Sequence, residues 1–248
     1  MYKKIVIIGA ARSGTNMLRD VLTKKDNMAT WPCDEINYIW RYGNKHIPHD
    51  EFDSENVNSK NKKYINEQFD KLYKKTKVSY IVEKTCANSL RVDFVEEVLD
   101  NPLYINIVRD PVDVVASARK RWKAELDIPY ILKKARYVPI VDIPYYGIKY
   151  FINRIQKLFD RNNNLSYWGP QLRNMDGILE KCNINQICAY QWERSVANSI
   201  KSFEKISDEK VVNVFYKDFV NDPKKELVKI FDFYNIPVDK DELELITN

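Results

Sequence analysis

The chain has 248 residues, 44% hydrophobic and 30% charged, with 40 Lys and Arg against 35 Asp and Glu for a net charge of +5. That length can bury a sizeable core and predicts one α/β domain spanning 1–248, while the interspersed charge excludes a nucleic-acid-binding stripe. Cys33, Cys86, Cys182 and Cys188 lack Cys-x-x-Cys spacing and exclude a disulfide scaffold, which predicts reduced thiols and a cytoplasmic location; His46 and His49 give no reason to expect zinc.

In chain order, the apolar run Lys4 to Ile8 is too short for a signal peptide or membrane span and reads as the first core strand. It enters Gly9-Ala10-Ala11-Arg12-Ser13-Gly14-Thr15-Asn16, and Met17, Leu18, Val21 and Leu22 follow at helical spacing. A strand, a glycine loop and a helix start aim backbone N–H groups and the positive end of the helix dipole at one point, a cradle for phosphate or sulfate. The spacing follows the first half of the Walker pattern, but Gly14-Thr15-Asn16 replaces Gly-Lys-Ser/Thr, so the triphosphatase lysine is missing and Arg12 supplies a cation inside the loop.

Asp34 and Glu35 come next, as carboxylates that either cap a helix over 36–41 or face a substrate. Asn44 to Lys63 is polar and predicts a solvated excursion, before Ile65, Phe69 and Leu72 take up helical spacing. A strand over Tyr80 to Val82 delivers Glu83-Lys84-Thr85, placing a lysine beside the cradle. A strand over Tyr104 to Val108 runs into Arg109-Asp110-Pro111 rather than a magnesium-binding aspartate; Asp110 and Pro111 signal a helix start, and Ser117 falls two turns along, beside Arg109.

From Lys123 to Asp176 four prolines and many aromatic residues predict an inserted cap, either a substrate wall or simply packed structure. Ile184 to Phe203 predicts a long helix with Trp192, Val196 and Ile200 in the core. After a strand over Val211 to Phe215, Asp222-Pro223 starts a helix whose first turn holds Lys224 and Lys225, where cations oppose the dipole unless an anion is bound. Lys217 and Lys224 are therefore either anion ligands or plain solubilising charge. Strands alternating with helices predict a parallel sheet with helices on both faces and ligands beyond the strands' carboxyl ends.

The loop Ala11 to Asn16, the run Ile107-Val108-Arg109-Asp110-Pro111-Val112-Asp113-Val114-Val115-Ala116-Ser117 and the segment Val214 to Pro223 together resemble the three motifs of sulfotransferases that use 3′-phosphoadenosine 5′-phosphosulfate (PAPS). The resemblance implies a three-layer, P-loop-like parallel sheet flanked by helices, with an aromatic-rich, mainly helical cap over 123–176. It implies that Arg109 and Ser117 hold the 3′-phosphate, while backbone N–H groups from Ser13, Gly14, Thr15 and Asn16 hold the 5′-phosphate and Arg12 binds the cofactor at the bridging oxygen; Tyr216, at a strand end, is a residue that orients neighbouring cofactor ligands, and Lys217 or Lys224 reaches a cofactor phosphate if either is an anion ligand. In cytosolic aryl sulfotransferases a Lys-Thr-His segment supplies the base; here it reads Lys84-Thr85-Cys86. Cys33-Asp34-Glu35 is similar instead to the glutamate-bearing segment of the tyrosylprotein branch, which implies Glu35 as base, Asp34 second and the histidines as outside candidates. The implied chemistry is in-line, metal-free transfer of a sulfuryl group to an acceptor hydroxyl or amine, aided by Arg12 and Lys84 and leaving 3′,5′-adenosine diphosphate (PAP). The acceptor class is open among small molecules, glycans, lipids and peptides. The alternatives are an ATP–magnesium kinase with a degenerate loop and an inactive PAPS-pocket protein.

Overall fold

Strict alternation along β1 (Lys3–Ile8) sends Ile5 and Ile7 to one side and Val6 and Ile8 to the other, all fully or almost fully buried. A strand buried on both faces must lie inside a layered sheet. In the computed structural model, which describes residues 2–122, 134–148 and 168–247, β1 is central to a five-stranded sheet in the order β2-β3-β1-β4-β5. All pairings are parallel, between β2 (Met28–Ala29), β3 (Tyr80–Lys84), β4 (Leu103–Val108) and β5 (Val211–Phe215). The two-residue β2 escapes the sequence pattern because it is too short to show a period.

Helices cover both faces. On one, Leu18 and Leu22 of α1 (Thr15–Leu22), Leu227, Ile230 and Phe231 of the helix at Pro223–Phe233, and Ile246 near the C-terminus pack on Ile5 and Ile7. On the other, Ile39 and Trp40 of α2 (Asn37–Trp40), Ile65, Phe69 and Leu72 of α3 (Ser59–Thr76) and Phe94, Val95 and Val98 of α4 (Val92–Leu99) pack on Val6 and Ile8. A third cluster joins α5 (Pro111–Trp122), α6 (Met175–Lys181) and α7 (Ile184–Phe203) through Ala118, Trp122, Met175, Ile187 and Cys188. Then α8 (Tyr216–Asn221), α9 (Pro223–Phe233) and α10 (Lys240–Thr247) close the chain. No helix among the described residues is long and apolar enough to cross a membrane. Most of the expected 123–176 insertion lies outside the described residues.

Two expectations need correction. The stretch from Asn44 to Lys63 is not simply solvated, because Asp50 and Phe52 are buried: Asp50 accepts from Arg41 at 2.7 Å and from the Gln171 N–H at 2.9 Å, tying the excursion to a segment 121 residues away. The helix α7 keeps its predicted span, but its buried face carries Ile187, Cys188, Gln191, Ser195, Ser199 and Ser202, whereas Ile200 is 51% exposed and Trp192 and Val196 are half-buried. Small serines let α7 approach the Cys86–Leu90 turn and α5 closely, and that contact overrides the apolar stripe.

Candidate active site

Register places the sheet's carboxyl edge. Ile7 is paired with Lys84, Ile8 with Asn106 and Val108 with Phe215, so the segments starting at Gly9, Thr85, Arg109 and Tyr216 leave the sheet side by side. Ligands of open parallel sheets bind at this edge.

At its centre is the loop from Gly9 to Gly14. Gly14 has φ +90°, and a Cβ there would sit 2.4 Å from Tyr216 Cδ2, so only glycine allows the ring this close. Arg12 takes φ 74°, an unfavourable conformation for a side chain with a Cβ, so the loop stores local strain. Among the described residues no side chain caps α1, and no acidic residue stands in its first turn, which leaves its leading N–H groups and dipole to an external anion. Ser13 Oγ and Arg109 Nε, both buried, find no hydrogen-bond partner among the described residues. An uncapped helix start, two orphaned donors and neighbouring guanidinium groups fit a phosphorylated ligand.

The distant motif residues converge here. Arg12 Nε donates to Ser117 Oγ at 2.9 Å across 105 residues of sequence. Arg109 donates to the Arg12 carbonyl at 3.1 Å, stacks its guanidinium 4.0 Å from the centre of the Tyr216 ring and lies 3.6 Å from Asp113. Trp192 Nε1 donates to the Arg109 carbonyl at 3.2 Å, tying α7 to the strand end that carries Arg109. Asp110 caps α5 through the Val112 and Asp113 N–H groups. Arg12 thus contacts both Ser117, through its guanidinium, and Arg109, through its carbonyl. Thr15 is buried and Asn16 exposed at the start of α1.

Lys217 is exposed, and Lys224 lies 3.2 Å from Glu244 of α10. The tension in the first turn of α9 is relieved within the protein: Asp222 accepts from the Lys225 N–H at 3.0 Å, and Glu226 shares that turn. The geometry thus removes the reason for assigning an anion to Lys224.

Glu35 sits just before α2 and does not cap it; the N-cap is Ile36, with no side-chain cap. Its Oε1 accepts from Lys84 Nζ at 3.2 Å and from the Cys86 N–H at 3.3 Å, and its Oε2 from Lys134 Nζ at 3.2 Å. Burial alone would raise its pKa, but the two ammonium groups and the Cys86 contacts outweigh burial and hold it well below the usual carboxylate range. Lys84 is 2% exposed; burial pulls its pKa down, and Glu35 more than restores it, leaving it above its ordinary value. Asp34 is elsewhere engaged, 3.7 Å from Arg19, which also donates to the Asp34 carbonyl at 3.1 Å. His46 is exposed with its ring against Tyr145, while the His49 carbonyl accepts from Arg41.

Cys86 makes one site of the two halves. Its Sγ lies 3.6 Å from Thr15 Oγ1 in the cradle, while its N–H reaches Glu35. Burial, reinforced by Glu35, pushes the thiol pKa up to about 12, so it stays a neutral thiol. The sequence does not signal the roles of Cys86 and Lys134 in this constellation: the thiol stands out only by replacing a histidine, and Lys134 falls in the stretch that predicts an inserted cap.

A family model described as the sulfotransferase family matches residues 4–139. Among solved structures, the sulfotransferase domain from the curacin biosynthetic pathway is similar at 17% identity over 98% of this chain and 77% of that one, with a TM-score of 0.59. Sulfotransferase STF9 from Mycobacterium avium is similar at 12% identity over 100% and 67% of the two chains, with a TM-score of 0.59. For the Alicyclobacillus acidocaldarius sulfotransferase the values are 14% identity, 96% and 83% coverage and a TM-score of 0.54. Likeness at such identities establishes a shared fold. No curated protein matches the sequence.

Proposed function

The chain belongs to the sulfotransferase family, and from that premise we propose that it moves a sulfuryl group from PAPS to an acceptor hydroxyl or amine, using Glu35 as the base. The observation that carries this reading is the continuity of cradle and carboxylate: Thr15, Cys86 and Glu35 are joined by contacts of 3.6 and 3.3 Å at the carboxyl edge of the sheet. Bound PAPS would supply the activated sulfuryl group, with PAP as its leaving group. Ser13, Gly14, Thr15 and Asn16 would hold the 5′-phosphate through backbone N–H groups and the Ser13 hydroxyl, and Arg109 with Ser117 would hold the 3′-phosphate. Tyr216 acts by holding the Arg109 guanidinium over its ring, 4.0 Å from the centre.

Glu35 is ionised at neutral pH, the state a base must occupy, and its Oε2 is the oxygen not committed to the body of the sheet. An acceptor hydroxyl is a weak nucleophile until its proton is drawn off, and Glu35 Oε2 takes that proton. The two lysines hold the carboxylate in its charged form. Arg12 and Lys84 supply positive charge in the cleft, where fixed cations stabilise developing negative charge. The acceptor is a molecule that can reach Glu35.

Calorimetric titration with PAP against ATP plus magnesium tests the donor. The expected result is a preference for PAP of about tenfold or more, equivalent to about 1.4 kcal/mol; binding of ATP–magnesium with no response to PAP would overturn the assignment. Transfer of radiolabelled sulfate from PAPS to a panel of phenols, sugars and tyrosyl peptides tests turnover. Glu35→Gln should abolish transfer while leaving PAP binding in place, and full turnover by that variant would remove Glu35 from the mechanism.

A further inference from the structure

Next to Lys84 on β3 lies a carboxylate the mechanism does not use. Glu83, on β3, is fully buried and accepts three neutral donors: Trp40 Nε1 at 3.0 Å and Thr85 Oγ1 at 2.6 Å on one oxygen, and Asn88 Nδ2 at 2.9 Å on the other. Burial raises its pKa against those donors. Retaining an acidic side chain at such a position is unfavourable unless the acceptor geometry does something a neutral group cannot.

The difference is direction. A hydroxyl has one proton. Thr85 donates it to Glu83, so the Thr85 oxygen is left as an acceptor, and it receives the Ile36 N–H at 3.2 Å. Ile36 is the residue after Glu35 and the N-cap of α2, whose Trp40 donates to the same Glu83 oxygen. One buried carboxylate therefore holds both ends of α2, and the chain Ile36 N–H to Thr85 to Glu83 fixes the backbone next to Glu35. Glu83 also precedes Lys84, so base and lysine are referenced to one point on β3.

We propose that Glu83 and Thr85 are positioning residues for Glu35: Glu83 orients the Thr85 hydroxyl, and Thr85 fixes the Glu35–Ile36 backbone so that Oε1 meets both Lys84 and the Cys86 N–H. The inference rests on Glu35 being the base, although the arrangement it describes can be measured without turnover.

Carbon-13 NMR of the side-chain carboxyl of Glu35, assigned from its loss in Glu35→Gln, is titrated in the ligand-free protein. Thr85→Val removes the hydroxyl at nearly constant shape and should move the titration of Glu35 upward, toward the ordinary glutamate range, as its partners loosen. Thr85→Ser retains the hydroxyl and should restore the wild-type titration. Trp40→Phe removes a donor from Glu83 without touching Thr85; it should lower the melting temperature yet move the Glu35 titration clearly less than Thr85→Val does, separating positioning from general loosening. An unchanged Glu35 titration in cooperatively folded Thr85→Val, or an equal shift in Trp40→Phe, would overturn the proposal. Should Thr85→Val not fold, Thr85→Ala read against Thr85→Ser decides the same question. Absence of PAP binding to the wild type would strike the donor assignment and leave this measurement intact.

Discussion

Glu35 holds its charge between two ammonium groups, and that arrangement sets how the protein responds to pH. Its folded pKa lies below the unfolded value of 4.5, so its contribution to stability is present above about pH 4.5 and is lost as pH falls through the folded value. Lys84, raised above 10.5, contributes fully below that pH and loses its contribution as pH rises through its folded pKa. Glu35→Gln leaves Lys84 buried without its carboxylate. It should lower stability at neutral pH by about 1–3 kcal/mol, less than for a fully buried pair because Glu35 keeps some contact with water. In urea titrations the gap between wild type and variant should narrow on acidification; a gap independent of pH would show that the pair does not stabilise the fold. Glu83→Gln should be destabilising by about 1–3 kcal/mol in the same experiment, because an amide set among three donors turns an N–H toward one of them in either orientation.

Among the elements, the cradle depends on one missing side chain. Gly14→Ala would force a Cβ into the Tyr216 ring and place alanine at φ +90°, a conformation that is unfavourable by about 1–2 kcal/mol for an L-residue. Because Tyr216 supports Arg109, the expected outcome is a loss of PAP affinity of about tenfold or more, larger than the change in melting temperature alone would suggest. Calorimetry beside a thermal melt checks this, and unchanged affinity would show that the ring can move freely. Local chemistry made several elements legible. Asp110-Pro111 and Asp222-Pro223 start helices where they were expected to, since a cap and a fixed φ act within three residues. The exposed side of α7 was not legible, because the helix packs by the closeness its serines permit rather than by its largest apolar residues.

For the molecule as a whole, buried charge pins the polar excursion to the end of α2 and the start of α4. Asp50 takes Arg41 at 2.7 Å and Arg91 at 3.4 Å, and Arg91 is fully enclosed, stacked over Phe52 and bound to Asn37 and Asn88. Removing the shared carboxylate would strand two buried guanidinium groups, so Asp50→Ala should lower unfolding free energy by about 3–5 kcal/mol and release the Gln171 N–H contact. Chemical denaturation with limited proteolysis near residue 171 reads both effects, and native-like stability would refute the pinning role. Asn37 of α2, two residues after Glu35, contacts both Asp50 and Arg91, so loosening this network should also weaken transfer.

The sequence alone determined what acts over short separations: the buried strands, the loop with its Arg12 and two glycines, and helix starts at the ends of strands. Each follows from a period of two, a positive φ or a cap, all of which operate within a few residues. It also brought out Arg109, Ser117 and Glu35 as residues of interest, by resemblance. The tertiary structure decided partners. Arg12 meets Ser117 over 105 residues and Glu35 meets Lys134 over 99, while Asp50 is drawn inside and Lys224 turns to Glu244. No spacing rule reaches so far, because such contacts arise only once the parallel sheet has brought the ends of its strands to a common edge.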